Sequence, residues 1–259
     1  MRSGLAEPPL FSVGWHDAIF EHYRVTDEAA LAARLPPGVE LDHHEGAAYL
    51  SVVSFRMHDM RLRGRWRLPV AHTYPQINIR LYVRSGDRAG VFFLRNLVSS
   101  HLATWFGRWL YGMPYRFQPV SNGRSPERPS CRAQLGGGLH HSIWGARGRR
   151  LSGHEHDPSS LLFFLVERYP LYSLRRAGTH EAQMLHPPWE LYELEVEERT
   201  HAIIEALELN DAVEPLDQVQ CSAGVDVLIW PAVQLGEMPA LVASDRFFDE
   251  RGAIRALGR

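Results

Sequence analysis

The 259-residue chain contains no lysine, and all 28 of its basic residues are arginine. This absence removes chemistry. A Schiff base between a side chain and a carbonyl substrate needs a lysine amine, and arginine, which stays protonated, cannot replace it. A phosphate-binding loop of the GxxxxGK[ST] type is excluded on the same ground. Cysteine is almost absent too. Cys131 and Cys221 stand ninety residues apart, with no CxxC or metal-type spacing, so reduced thiols in a cytoplasmic protein are expected. Long apolar runs are missing: the longest, Leu161 to Val166, is six residues, far short of a membrane span. The first residues, MRSGLAEPPLFSVGW, lack the apolar stretch of a secretion signal. Net charge is low as well, at −2 with a sequence pI of about 6.7, which argues against a nucleic-acid binder working through bulk charge. No GxSxG, HExxH or GxGxxG stands at a fitting location, so serine-nucleophile, zinc-protease and dinucleotide readings have no local support.

What is present is ordinary globular material, 45% hydrophobic and 22% charged, with seven tryptophans and eleven phenylalanines for a core. A capped helix is expected from Thr26 to Leu35, stopped by Pro36-Pro37-Gly38. Gly46 to Phe55 reads as a strand. Tyr74 to Arg84 alternates strictly, with Ile77, Ile79, Leu81 and Val83 on one face and Gln76, Asn78, Arg80 and Tyr82 on the other. SGDRAG reads as a hairpin loop leading to a partner strand at 90–96. Ser99 or Ser100 caps a helix that runs to Tyr111. Strands are expected at 116–120, 130–135 and 139–144, and a polar loop at 148–158. A helix then spans 161–169, and strands follow at 169–174, 182–185, 191–197 and 225–230. Ala202 to Leu209 fits helix or strand. No linker or repeat divides the chain, so residues 1–259 read as one α+β domain, with many strands, few helices and antiparallel sheets.

Five constellations could carry chemistry. The polar face Gln76-Asn78-Arg80-Tyr82 either meets solvent or lines a pocket, where amides, a guanidinium and a phenol suit a carboxylate or carbonyl. In "WFGRWLYGMPYRF", Gly112-Met113-Pro114 forces a reversal that either presents Tyr115 and Arg116 to a cavity or leaves Tyr115 in the core and Arg116 in water. "LVERYPLY" and "HPPWEL" bring an acid, Glu167, together with His186 and Trp189, as an acid/base site or as a structural ion pair. His43-His44-Glu45 and His154-Glu155-His156-Asp157 sit in polar loops without a third orienting ligand, so no metal is expected. The basic run from Arg61 to Arg67, with Trp66 inside it, reads as a solvated loop rather than a phosphate or single-strand site.

Taken in order, "YPQINIRLYV", "GVFFL", "GRWLYGMPY", "LVERYPLY" and "HPPWEL" resemble the YqjF-like proteins, a branch of the acetoacetate decarboxylase-like superfamily. The resemblance runs from about Trp15 to Trp230. It implies curved antiparallel sheets that form a barrel-like shell around a central cavity. In the decarboxylases the Gly-x-Pro turn is followed by two lysines, one of which forms the imine. Here those positions are Tyr115 and Arg116, and the family's glutamate corresponds to Gln76. The resemblance therefore implies a location without the imine chemistry. Tyr115, Arg116, Gln76 and Arg80 are expected to face one cavity. Arg116 or Arg80 would hold an anionic group, Tyr115 would donate a hydrogen bond or act as general acid, and Glu167 or His186 would serve as base. Asn78, Tyr82, Met113 and Trp189 complete the expected ligand-contacting set. The expected function is binding of a small carbonyl- or carboxylate-containing molecule, with lyase, hydratase or cyclase chemistry that needs no Schiff base; the alternative is a non-catalytic carrier or sensor. The expected partner is a small molecule, with no cofactor, nucleic acid or membrane, and self-association is left open. Reduction with borohydride in the presence of a β-keto acid should add mass to no peptide except the one bearing the N-terminal amine. Peptide mass spectrometry checks this, and an adduct at any internal position would contradict it.

Overall fold

The structure is a computed structural model that describes residues 8–68, 73–153 and 157–237. Strand β1 (Phe11–Val25) is followed by helix α1 (Glu28–Ala32), where Asp27 Oδ1 accepts from the Ala30 amide at 3.0 Å. Two short strands, β2 (Glu40–Leu41) and β3 (His43–His44), lead into the long β4 (Ala47–Leu62), and β5 (Trp66–Arg67) folds back on its end. The hairpin β6 (Thr73–Ser85) and β7 (Arg88–Val98) precedes helix α2 (His101–Tyr111). Strands β8 (Tyr115–Phe117), β9 (Val120–Asn122), β10 (Ser130–Gln134) and β11 (His140–Leu151) follow. Helix α3 (Leu161–Val166) comes next, then β12 (Pro170–Arg175), β13 (Gly178–Leu185), β14 (Leu191–Arg199), helix α4 (Ala202–Ala206), β15 (Val213–Ile229) and β16 (Val233–Gln234).

The strand order gives the shape. Neighbours run β13-β12-β7-β6-β4-β1-β15, and β15 pairs back onto β13 through Met184 with Ile229 and Leu185 with Leu228. Seven strands thereby close a ring, which leaves its members no open edge. All of these pairs are antiparallel except β7 with β12. From β15 the sheet continues as β14-β11-β10-β9 and folds over the outside of the ring. Val120, Cys131, Ala133, Ile143 and Leu194 of this flap share one core with Ile77, Ile79 and Leu81 of β6. Inside the ring a second core gathers Phe11, Trp15, Phe20, Phe55, Met57 and Phe93. Among the described residues no helix is long and apolar enough to cross a membrane. Both cysteines are free and buried.

Strand β1 was not foreseen from its sequence, FSVGWHDAIFEHYRV, because its alternation breaks in the middle. Asp17 takes a φ of 54°, and the register with β4 shifts between His16 and Ile19, a bulge that bends the strand around the ring. Across from it, Gly224 pairs with His16 at φ +133°, and a Cβ there would lie 2.2 Å from the Trp15 carbonyl oxygen. Other expectations need correction. Helix α3 stops at Val166, short of the expected 169, and Pro170 opens the next strand. The arginine run is a hairpin rather than a loop, held by Asp59, which pairs with Arg61 and with Arg67 Nε at 2.8 Å. Strand β11 extends through Arg150 into the segment read as a polar loop, and 202–206 is helical. His43 bonds to Glu28 at 3.0 Å, while His154, Glu155 and His156 lie outside the described residues.

His22 is fully enclosed in the ring, with Nδ1 2.6 Å from Ser51 Oγ and Nε2 2.7 Å from Gln220 Oε1. Burial is the main cause that pushes its pKa down to about 3. The unfolded chain takes up this proton below about pH 6.5 while the folded chain does not until about 3, so stability falls as pH falls through that window. Urea unfolding at pH 5.0 should show about 2 kcal/mol less stability than at pH 7.5 from His22 alone; an unchanged midpoint would contradict it. Gly224→Ala should lower stability by about 2–4 kcal/mol through backbone overlap, measured as a drop in thermal midpoint.

Candidate functional site

A cavity lies inside one end of the ring, between β6, β7, β8 and helix α2. The space open to the centre of a water molecule is about 70 Å3, room for roughly five waters or one small organic molecule. Gln76, Asn78, Met113 and Tyr115, all expected at a site, line it. Their convergence has a local cause. Ser100 caps α2 by accepting from the Ala103 amide at 3.2 Å. Gly112 ends the helix at φ 65°, the left-handed conformation that glycine adopts without strain. The Met113 amide then bonds back to the Gly107 carbonyl at 3.3 Å. The reversal delivers β8 alongside β7 in parallel, with Tyr115 beside Asn96. Asn96 in turn faces Asn78 on β6, so Asn78, Asn96 and Tyr115 form a row across three strands.

Gly107 sets the position of Tyr115. A Cβ at this glycine would lie 2.5 Å from the tyrosine ring, so helix and ring touch with no space for a side chain between them. Tyr115 retains accessible surface although protein atoms enclose it on all sides, as befits a ring facing an internal cavity. Burial pushes its phenol up to about 12, opposed by the Gln76 side chain. Tyr74 and Tyr111 also line the cavity. Their phenols are raised first by burial and then by the charge that Tyr115 would carry. All three hydroxyls are therefore protonated at neutral pH and act as donors rather than bases.

The other expected site residues stand elsewhere. Arg116 is exposed: strand alternation turns it outward where Tyr115 turns inward, and its charge adds to burial in lowering the pKa of Arg95. Arg80 and Tyr82 are buried in the ring but do not line the cavity. Both donate to the Leu165 carbonyl at the end of α3, at 2.8 and 2.6 Å, and Ser51 links Tyr82 to His22. The face read as one polar stripe is thus divided: Gln76 and Asn78 meet the cavity, while Arg80 and Tyr82 anchor a helix. A register shift between Ile79 and Arg80 marks the division.

Glu167, His186 and Trp189 do come together, outside the cavity. Glu167 accepts from the Trp189 amide at 3.1 Å and from the Tyr169 hydroxyl at 2.8 Å. His186 Nδ1 donates to the Pro187 carbonyl at 2.8 Å and lies 3.9 Å from Glu167, beyond hydrogen-bond range. Burial lowers the His186 pKa, partly offset by Glu167, so the ring is neutral. Trp15 joins this cluster to the cavity. It lines the cavity and lies with ring centroids 6.4 Å from both His186 and Trp189. Sequence reasoning had not proposed Tyr74, Tyr111 or Trp15 as site residues. Tyr74 was legible as the residue two before Gln76 on the same strand face; Tyr111 lies one helical turn beyond Gly107. Trp15 had no such signal, because its strand is broken by the bulge.

A closed ring with an interior cavity and an external flap is the acetoacetate decarboxylase-like fold. An acetoacetate decarboxylase-like enzyme from Sphingomonas wittichii RW1 matches with a TM-score of 0.62, over 91% of this chain and 96% of that one, at 19% identity. The enduracididine biosynthesis enzyme MppR complexed with pyruvate matches with a TM-score of 0.62, over 91% and 94%, at 15% identity. Within that fold, the chain belongs to DUF2071, a family of uncharacterized conserved proteins whose sequence pattern covers residues 12–226. It is 28% identical over 222 residues to the uncharacterized protein YqjF of Bacillus subtilis (strain 168), covering 84% of this chain and 89% of that one.

Gly107→Ala should push the Tyr115 ring out of place and lower stability by about 1–3 kcal/mol, whereas Gly136→Ala, with open space around its added methyl, should leave stability nearly unchanged. Chemical denaturation of the two variants checks this, and equal losses would contradict it.

Proposed function

We propose that this protein binds a small carbonyl- or carboxylate-bearing molecule in the ring cavity, with Tyr115 as hydrogen-bond donor to the carbonyl oxygen. One observation carries the reading: the Tyr115 phenol, kept protonated by burial, faces a cavity at one of the two positions that the resemblance gives to the decarboxylases' lysine pair. The Gln76 and Asn78 carboxamides beside it supply orientation without charge. The pyruvate in the MppR complex is consistent with this fold holding a small oxo compound.

The supported chemistry is polarisation of a carbonyl by a neutral donor. No group with the properties of a general base is among the described lining residues, because the phenols are raised and both Glu167 and His186 are engaged behind Trp15 and Trp189. This favours the carrier or sensor reading over a lyase, hydratase or cyclase. The enzymatic reading keeps one support. His186 packs near Trp15, with ring centroids 6.4 Å apart, and Trp15 lines the cavity.

Molecules released by denaturing the purified protein and identified by mass spectrometry test the reading. A defined compound should accompany the wild type and be lost from Ala103→Phe, in which the new ring fills the cavity, while circular dichroism shows both chains folded. Equal retention by both chains would contradict the location.

A further inference from the structure

The chemistry of the wall says more about the ligand than its location does. The cavity is built from neutral groups. Phenols come from Tyr74, Tyr111 and Tyr115, and carboxamides from Gln76 and Asn78. Four of the six methionines in the chain converge on it: Met57, Met60, Met113 and Met184. Phe11, Phe93, Phe106 and Trp15 supply most of the remaining surface. Among the described lining residues none is aspartate, glutamate, histidine or arginine.

Each group favours a kind of ligand. Thioether sulfurs are polarisable and pack well against aromatic rings. The wall's own rings offer edge and face contacts to another ring. Tyr111 already directs its hydroxyl at the Trp230 carbonyl, 3.3 Å away. Gln76 donates from Nε2 to Asn78 Oδ1 at 2.7 Å, while its Oε1 is buried with no hydrogen-bond partner of good geometry. That oxygen has no surface open to the cavity, and the Gln76 side chain is already engaged with Asn78 and Tyr115. Close beside it stands the Tyr115 phenol, which calls for an acceptor. The cavity thus offers a neutral donor inside an aromatic, sulfur-rich enclosure. A carboxylate supplies acceptors only, and its charge would meet no cation in the described wall, so most of its hydration would be lost without return.

We propose that the cavity takes a neutral aromatic molecule whose carbonyl oxygen accepts from Tyr115, and that it discriminates against carboxylates. This rests on the reading of the cavity as a small-molecule site and narrows it.

Benzamide and benzoate have nearly the same shape and differ in charge and in the donor, which makes them a direct pair for testing this, with acetoacetate as a third compound. Isothermal titration calorimetry at pH 7.5 should show benzamide binding, with benzoate and acetoacetate at least about 100-fold weaker. Tyr115→Phe should weaken benzamide by about tenfold while circular dichroism shows the chain folded. Benzoate or acetoacetate binding as tightly as benzamide would overturn the neutral-ligand assignment and leave the small-molecule reading standing. Binding of none of the three would overturn both. Benzamide binding that Tyr115→Phe leaves untouched would overturn the assigned hydrogen bond.

Discussion

Strand β6 is buried on both of its faces, and much of the molecule is arranged around that constraint. Its outer face, Ile77, Ile79, Leu81 and Val83, is apolar and shares a core with the flap. Its inner face carries Gln76, Asn78, Arg80 and Tyr82, none more than 7% exposed. Four polar side chains in a closed ring need partners or the fold loses free energy at each of them. Arg80 and Tyr82 find theirs in the Leu165 carbonyl, which fixes the end of α3. Gln76 donates to Asn78 Oδ1, and both side chains line the cavity. The division between a half that anchors α3 and a half that lines the cavity is thus a matter of hydrogen-bond supply along a single strand.

The absence of lysine and the presence of a cavity are compatible because the ring does not depend on such a side chain. Closure rests on the pairing of β13 with β15, and the cavity's polar corner rests on the turn at Gly112 and on contact between Gly107 and Tyr115. Where an amine would need a lowered pKa to react, a phenol needs only to stay protonated, and the same burial that would hinder a charged group secures this. A buried, uncharged wall therefore suits tyrosine and disfavours ions in the same space.

Much of the ring was legible in the sequence. The alternation from Tyr74 to Arg84 defines a strand with opposed faces, and the Gly-Met-Pro turn places Tyr115 at the start of the next one. Less legible was which member of each pair turns inward. Tyr115 and Arg116 are adjacent in sequence, and only the pairing of β8 with β7 sends one to the cavity and the other to solvent. The grouping of Glu167, His186 and Trp189 was foreseen, but not that Glu167 is occupied in holding the Trp189 amide. Trp15, Met57, Met60 and Met184 were hidden for a physical reason: they come from strands far apart in the chain, and β1 loses its period at the Asp17 bulge.

The central claim is that Tyr115 donates a hydrogen bond to the carbonyl oxygen of a bound neutral ligand. Infrared difference spectroscopy of carbonyl-labelled benzamide bound to the wild-type protein and to Tyr115→Phe measures that bond directly. The account predicts a carbonyl stretch at lower frequency in the wild type than in the variant. The same frequency in both would contradict it.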